Sequence, residues 1–124
     1  MDHIEQVRQA KVRAARRKQS SKPEKVPESV VENYLRDRIK DLGGIAYKFT
    51  SPARRSVPDR LVLLPGGRIE FVECKATGEK PTPNQLNEHQ RLRGFGFTVF
   101  VVDSKAQVDD LYPLRMSGVP YQTY

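Results

Sequence analysis

One glycine turn between two apolar runs constrains this chain more than any other stretch. The runs lie on either side of Pro65-Gly66-Gly67, and each is long enough for one strand. Because a short glycine-rich loop between apolar runs is typical of a β-hairpin, the pattern predicts strands near residues 59–64 and 69–75. With a three-residue loop, Leu64 would pair with Arg68. A bulge at the glycines would shift this register by one residue.

Charged residues stand at the ends of both predicted strands. Asp59 begins the first strand, and Glu73 and Lys75 close the second. Counting outward from the turn places Asp59 opposite Glu73, and residues two apart on a strand share a face, so Lys75 lies beside Glu73. Two carboxylates this close raise each other's pKa unless a cation lies between them. A hard divalent ion, Mg²⁺ or Mn²⁺, suits such a site. The alternative is that Asp59 is a turn residue and Glu73 pairs with Lys75 or an arginine.

The composition bounds the class of protein. A chain of 124 residues suggests one domain, and a single cysteine excludes an internal disulfide. There is no apolar run near the ~20 residues of a membrane helix and no apolar signal core, so we expect an intracellular, cytoplasmic protein without a membrane partner. The net charge of +7 favours polyanionic partners, of which DNA, RNA and acidic surfaces remain open.

The positive charge is concentrated at the N-terminus. Residues 1–26 hold eight Lys and Arg against three Asp and Glu. We predict that residues 1–27 form a basic arm and linker, and that residues 28–124 form the domain. Within the arm, Arg13, Arg16 and Arg17 are candidates for contacts with phosphates, and the alternative is a solvated tail.

The remaining pattern predicts a helix over 28–42 ended by Gly43-Gly44, a strand over 45–50, a helix from Thr82-Pro83 to about Arg93, a strand over 97–102 and a short helix over 105–111. The order is therefore α-β-β-β-α-β-α. A helix between the third and fourth strands indicates a crossover, which suits a parallel pair. The fold class is α/β with a mixed central sheet flanked by helices. The nearly unbroken apolar runs of the hairpin indicate a sheet covered on both faces.

Several of these stretches resemble a known family. Val57-Pro58-Asp59, Phe71-Val72-Glu73-Cys74-Lys75 and Gln85 are similar to the PD-(D/E)xK nuclease signature, and more specifically to the VRR-NUC (virus-type replication-repair nuclease) family. The resemblance extends over roughly residues 28–111. It implies a restriction-endonuclease-like fold and cleavage of DNA phosphodiesters that depends on Mg²⁺ or Mn²⁺.

The resemblance also implies residue roles. Asp59 and Glu73 match the metal ligands of the family, with the backbone carbonyl of Cys74 as a further ligand, and Lys75 matches its catalytic lysine. Two flanking helices contribute the others: Glu32 matches the acidic residue of the first helix, and Gln85 the glutamine of the second. The chain departs from the family pattern at Ser56, where glycine is usual, and at Cys74, where an aliphatic residue is usual.

Both helical contributors have an alternative. Glu32 would complete a capping box with Ser29 and could pair with Arg36 one turn on, and Glu28 is the second choice for the acidic position. Gln85 would also complete a capping box with Thr82, and it could serve both roles.

Basic residues flank the predicted site. Lys48, Arg54 and Arg55 are candidates for binding phosphates on either side of the scissile bond, with ordinary solvated charge as the alternative. His89 is predicted to be a surface or packing residue rather than a catalytic base.

Small stand-alone members of the family resemble junction-resolving homodimers. We therefore expect a homodimer acting on a four-way (Holliday) junction or another branched DNA, in a bacterial cytoplasm or, for a viral protein, that of the host. Flap cleavage, simple nicking and a non-catalytic nucleic-acid-binding role are the rivals.

Overall fold

The computed structural model describes residues 24–114 of the chain. Its elements are α1 (Glu28–Asp41), β1 (Ile45–Lys48), β2 (Arg60–Leu64), β3 (Arg68–Cys74), α2 (Pro83–Gly94), β4 (Thr98–Val102) and α3 (Lys105–Leu111). This is the order predicted from the sequence. The proposed basic arm, with Arg13, Arg16 and Arg17, lies outside the described residues, as does the stretch 115–124.

The four strands form one mixed sheet in the order β1-β2-β3-β4. β2 is antiparallel to both β1 and β3, and β3 is parallel to β4, as the α2 crossover predicts. Leu64 pairs with Arg68, so the three-residue loop sets the register that the sequence indicated. Gly66 and Gly67 have φ values of 88° and 76°, a conformation that glycine adopts with little strain.

One face of the sheet carries the hydrophobic core. Helix α1 buries Val31, Leu35 and Ile39 completely, each with 0% of its surface exposed, against alternate residues of the strands such as Val62 and Val72. Helix α3 packs beside α1 on this face. Burying side chains of this size contributes about 1.5–3 kcal/mol each, so this face supplies most of the stability.

The opposite face is only partly covered. Helix α2 packs against β4, while Ile45, Tyr47, Ile69 and Phe97 remain 46%, 52%, 46% and 41% exposed. The expectation of a sheet covered on both faces is therefore wrong for β1 and for the start of β3. The strand runs look continuous because their outward positions are apolar as well, which leaves a sheet face open to contact.

The stretch before α1 is attached to the domain. Residues 24–27 have no regular structure, which agrees with their two flanking prolines. The Val26 amide nitrogen donates to Thr77 Oγ1 at 3.1 Å, and the Thr77 amide returns a 3.1 Å bond to the Val26 carbonyl. These bonds fix the start of α1 at the end of the sheet where β3 finishes.

Candidate active site

The hairpin brings Asp59 and Glu73 to the same end of the sheet. The β2–β3 ladder ends with the pair Arg60 and Val72, and Asp59 is the next residue outward. The Cys74 amide nitrogen donates a 2.8 Å hydrogen bond to Asp59 Oδ2. Burial raises the pKa of Asp59, and this hydrogen bond opposes the rise because it stabilises the carboxylate. The predicted proximity of the two acidic residues is confirmed.

Glu73 is almost completely enclosed, with 1% of its surface exposed. Its Oε2 accepts a 2.9 Å hydrogen bond from Gln85 Nε2 and lies 3.4 Å from Lys75 Nζ. Its Oε1 is buried and has no hydrogen-bond partner among the described residues. Burial, and then the charge of Asp59, raise the pKa of Glu73 to about 7, although Lys75 favours the ionised form. A buried carboxylate oxygen without a donor is an available ligand for a cation.

Gln85 serves both of the roles that the sequence left open. Its backbone nitrogen donates to Thr82 Oγ1 at 3.2 Å, and its Oε1 accepts from the Thr82 amide at 2.9 Å, which completes a capping box at the start of α2. Its remaining polar atom, Nε2, donates to Glu73. The cap thus fixes the side chain that orients the carboxylate.

Glu32 makes neither of the contacts that the sequence offered as alternatives to metal binding. Helix α1 begins after Pro27 with no side-chain cap, and Arg36 bonds to Asn33 and Asp37 instead. Both alternatives, the capping box with Ser29 and the pair with Arg36, are therefore wrong.

Glu32 is held by a buried arginine of β2. Arg60 Nε donates to Glu32 Oε1 at 2.8 Å, Arg60 Nη1 donates to the Ala46 carbonyl at 2.9 Å, and Lys48 Nζ lies 4.0 Å from the same carboxylate. Arg60 is not among the site residues that the sequence predicts. The signal was present, because Arg60 lies two residues before the inward-facing Val62 and must share its face.

Glu28 is a second acidic residue of α1 near the site. Burial, and then the charge of Asp59, raise its pKa, and its own charge contributes to the raised pKa of Glu73. Three carboxylates and the Lys75 ammonium therefore influence one another at this end of the sheet. The assignment of the family's helical acidic position to Glu32 stays a prediction, with Glu28 as its rival.

The two departures from the family pattern are compatible with this geometry. The Cys74 side chain lies in the core with 0% exposure, so only its backbone can face the site, and burial raises the pKa of its thiol. Among the residues that the structure describes, every positive φ belongs to a glycine. Ser56 therefore adopts a conformation that does not require glycine.

The remaining predicted residues surround the carboxylates. Lys48 is exposed beside Glu32, Arg55 is exposed, and Arg54 Nη1 donates to Glu88 Oε1 at 3.3 Å. His89 is fully buried, as a packing residue would be, and neither ring nitrogen has a partner within residues 24–114. Burial, followed by the charges of Arg93 and Lys75, lowers the pKa of His89 to about 4.

The donor set suits a divalent ion that keeps part of its coordination for substrate and water. No group of three or more His, Cys, Asp and Glu side chains within the described range forms a ready metal cage. Mg²⁺, however, is usually bound by one or two carboxylates together with phosphate oxygens and waters. Asp59 and Glu73, with the unpartnered Glu73 Oε1, meet that requirement.

The fold and this carboxylate pair define a class. A mixed four-stranded sheet flanked by three helices, with two carboxylates and a lysine at one end, is the restriction-endonuclease-like α/β arrangement. No helix between residues 24 and 114 has the length and apolar character needed to cross a lipid bilayer.

Comparisons with known proteins identify the family. No family model matches the sequence. Over 80 residues, the chain is 59% identical to "Putative nuclease p44" of Acyrthosiphon pisum secondary endosymbiont phage 1, which covers 64% of this chain and 86% of that protein. A solved structure described as a VRR_NUC domain is 47% identical and superposes with a TM-score of 0.65, covering 68% of this chain and 91% of the other. The chain belongs to the VRR-NUC family of nucleases.

Proposed function

We propose that the protein is an endonuclease that hydrolyses DNA phosphodiester bonds with Mg²⁺ or Mn²⁺. The observation that carries the proposal is the buried, unpartnered Glu73 Oε1, beside Asp59 and within reach of the Lys75 ammonium. We also propose a cytoplasmic location, which the similarity to a phage nuclease supports.

Each reacting group is positioned by a neighbour. The bound divalent ion supplies Lewis-acid stabilisation of the phosphate and a more acidic water. Asp59 and Glu73, together with the Cys74 carbonyl, would hold such an ion. The Cys74 amide fixes the Asp59 carboxylate at 2.8 Å, and Gln85 fixes Glu73 Oε2 at 2.9 Å, which leaves Glu73 Oε1 for the ion. Lys75 stabilises the negative charge that develops on the phosphate oxygens.

The contribution of helix α1 can be separated experimentally. We propose that Glu28 supports ion binding, because it is electrostatically coupled to both Asp59 and Glu73. Glu32 contributes less to ion binding, because its carboxylate also balances the charge of Arg60. Glu28→Gln should raise the Mg²⁺ concentration needed for half-maximal cleavage more than Glu32→Gln does. The reverse order would assign the helical position to Glu32.

The central experiment is cleavage of linear, flap and four-way-junction DNA with Mg²⁺, Mn²⁺ or a chelator. The wild type should cut with either metal and not with the chelator, and both Asp59→Ala and Lys75→Ala should lose activity while still binding DNA. Arg68→Ala, a charge change at the far end of β3, is the matched control and should cut normally. If the Asp59 and Lys75 variants cut like the wild type, the mechanism is wrong. If the purified wild type cuts none of these DNAs, the nuclease proposal is wrong and a non-catalytic nucleic-acid-binding role takes its place.

We further propose that the protein is a homodimer that cuts branched DNA, with four-way junctions as the leading substrate. Two symmetric cuts require two active sites, and residues 24–114 form one candidate site. The open sheet face supports this proposal, because Ile45 and Tyr47 of β1, Ile69 of β3 and Phe97 just before β4 leave exposed apolar surface there. Exposed apolar residues grouped on one sheet face are typical of a protein interface.

A charged substitution in this patch tests the dimer. Tyr47→Glu should convert the dimer to a monomer in light-scattering chromatography, and should abolish paired cuts on a four-way junction while single nicks persist. Asn33→Glu adds the same charge on the exposed side of α1, beyond the opposite face of the sheet, and should leave the mass unchanged. A monomeric wild type would refute the homodimer and favour flap cleavage or nicking.

A further inference from the structure

A polar cleft lies between helix α2 and the loop that leads into Asp59. Its volume is about 400 Å³, which is within the range of ligand-binding clefts. The cleft is open to solvent on one side. Its charged and amide-bearing lining comes from both walls: Arg54, Arg55, Asn84, Asn87, Glu88 and Arg91.

The cleft adjoins the proposed catalytic carboxylates along both walls. Ser56 lines it from the loop and precedes Asp59 by three residues, so at most about 11 Å of backbone separates them. On the other wall, Asn84 and Asn87 flank Gln85 in sequence, the residue that bonds to Glu73. A DNA strand with its scissile phosphate at Asp59 and Glu73 would extend past this cleft.

The lining chemistry favours the DNA backbone over a base. Three arginines against one glutamate give the cleft an excess of two positive charges, and the two asparagines add amide donors. Arginine and asparagine are common partners of phosphate and sugar oxygens. None of the described residues that line the cleft is aromatic, so a base would find no stacking surface there.

We propose that this cleft binds a backbone phosphate next to the scissile one, without reading the base sequence. The inference rests on the proposed nuclease function and adds Asn84, Asn87 and Arg91 to the DNA-contacting surface. It also gives Glu88 a role, as the internal partner that DNA displaces.

Glu88 holds Arg54 in the position where a phosphate would bind. The Glu88 side chain is only 9% exposed at the cleft, whereas Arg54 is 51% exposed and lies 3.3 Å from the carboxylate. A phosphate offers the same guanidinium a second anionic partner with more acceptor oxygens. On binding, Arg54 exchanges the carboxylate for the phosphate, and the Glu88 charge opposes that exchange.

Binding measurements on three variants test the proposal, because two of them should weaken DNA binding and the third should tighten it. Fluorescence anisotropy of labelled four-way-junction DNA in chelator reports affinity without cleavage. Arg54→Ala and Arg91→Ala should each weaken binding about tenfold, which is the loss of one charge-assisted contact, and each should lower the slope of log affinity against log salt by about one. Glu88→Gln should instead tighten binding about fivefold, because the competing charge is gone while the side chain keeps its size. Arg68→Ala, at the other end of the hairpin, should change the affinity little.

The outcomes separate this proposal from the nuclease assignment. If the Arg54–Glu88 pair is purely structural, Arg54→Ala and Glu88→Gln should both melt at a lower temperature and neither should tighten DNA binding. That result would overturn the cleft proposal. Unchanged affinity and salt slope in Arg54→Ala and Arg91→Ala would also overturn it, even if the wild type cuts DNA. Conversely, a wild type that never cuts in Mg²⁺ but shows these binding changes would refute the nuclease and leave a phosphate-binding cleft. Replacing the base sequence around the branch should leave the ratio of each variant's affinity to that of the wild type unchanged. A ratio that depends on the base sequence would contradict a backbone contact.

Discussion

The buried imidazole of His89 makes the stability of this protein depend on pH in a way that one substitution can isolate. The side chain is 0% exposed, and burial followed by the charges of Arg93 and Lys75 lowers its pKa from 6.5 to about 4. Above pH 6.5 the ring is neutral in both the folded and the unfolded chain. Between pH 6.5 and about 4, His89 is protonated in the unfolded chain but stays neutral in the folded chain. The free energy of unfolding therefore decreases as the pH falls through this range.

The shift sets the size of the effect. A change from 6.5 to about 4 is 2.5 pKa units. At about 1.36 kcal/mol per unit, the limiting loss in the free energy of unfolding is about 3.4 kcal/mol, of which about 3 kcal/mol has been lost at pH 4. Such a loss is a large part of the stability of a small domain.

Replacement of His89 by leucine removes this titration at similar volume. Urea unfolding of wild type and His89→Leu, followed by circular dichroism at pH 7, 6, 5 and 4 in constant salt, measures the difference. The wild type should lose about 3 kcal/mol more than the variant between pH 7 and pH 4, because the titration of the carboxylates is common to both proteins and cancels. Parallel curves for the two proteins would refute the reasoning. If the leucine variant does not fold, His89→Gln gives the same comparison.

Three other changes have defined outcomes. Glu32→Ala leaves its arginine partner on β2 buried without a counter-charge, so urea unfolding should show a loss of about 3 kcal/mol, and a loss within error of zero would contradict the buried pair. Gly44→Ala should cost about 3 kcal/mol and lower the melting temperature, because a Cβ there would clash with the Leu63 carbonyl oxygen; an unchanged melting temperature would show that the backbone can yield. Deletion of residues 1–20 should weaken DNA binding and flatten its salt dependence, and an unchanged salt slope would show that this stretch does not bind phosphates.

The local chemistry of turns and caps made much of the fold predictable. Gly66 and Gly67 can adopt positive φ, so the three-residue loop set the pairing of Leu64 with Arg68, and that register placed Asp59 beside Glu73. Likewise, the capping residue Thr82 marked the start of α2. Short-range signals of this kind depend only on neighbours in the chain.

The failures involve contacts between distant elements. The sequence offered local partners for Glu32, yet its carboxylate bonds to Arg60, which is 28 residues away and reaches it across the core face. The same pattern of apolar residues does not reveal whether a sheet face is covered by a helix of the same chain, so the exposure of Tyr47 and Ile69 was unexpected. The role of Glu88 also depended on the packing of α2 beside the loop that carries Arg54.

Gln85 makes hydrogen bonds both to Thr82 and to Glu73, and this limits which amino acids are tolerated at position 85. Glutamate would complete the capping box equally well, yet it has no N–H to donate to Glu73 and would place a third negative charge beside that carboxylate and Asp59. Alanine would keep the backbone bond to Thr82 Oγ1 but would lose both the side-chain half of the capping box and the donor to Glu73. A variant at position 85 can therefore keep the capping box and still lose the donor that orients Glu73, so retention of the cap alone is a poor guide when this protein is engineered.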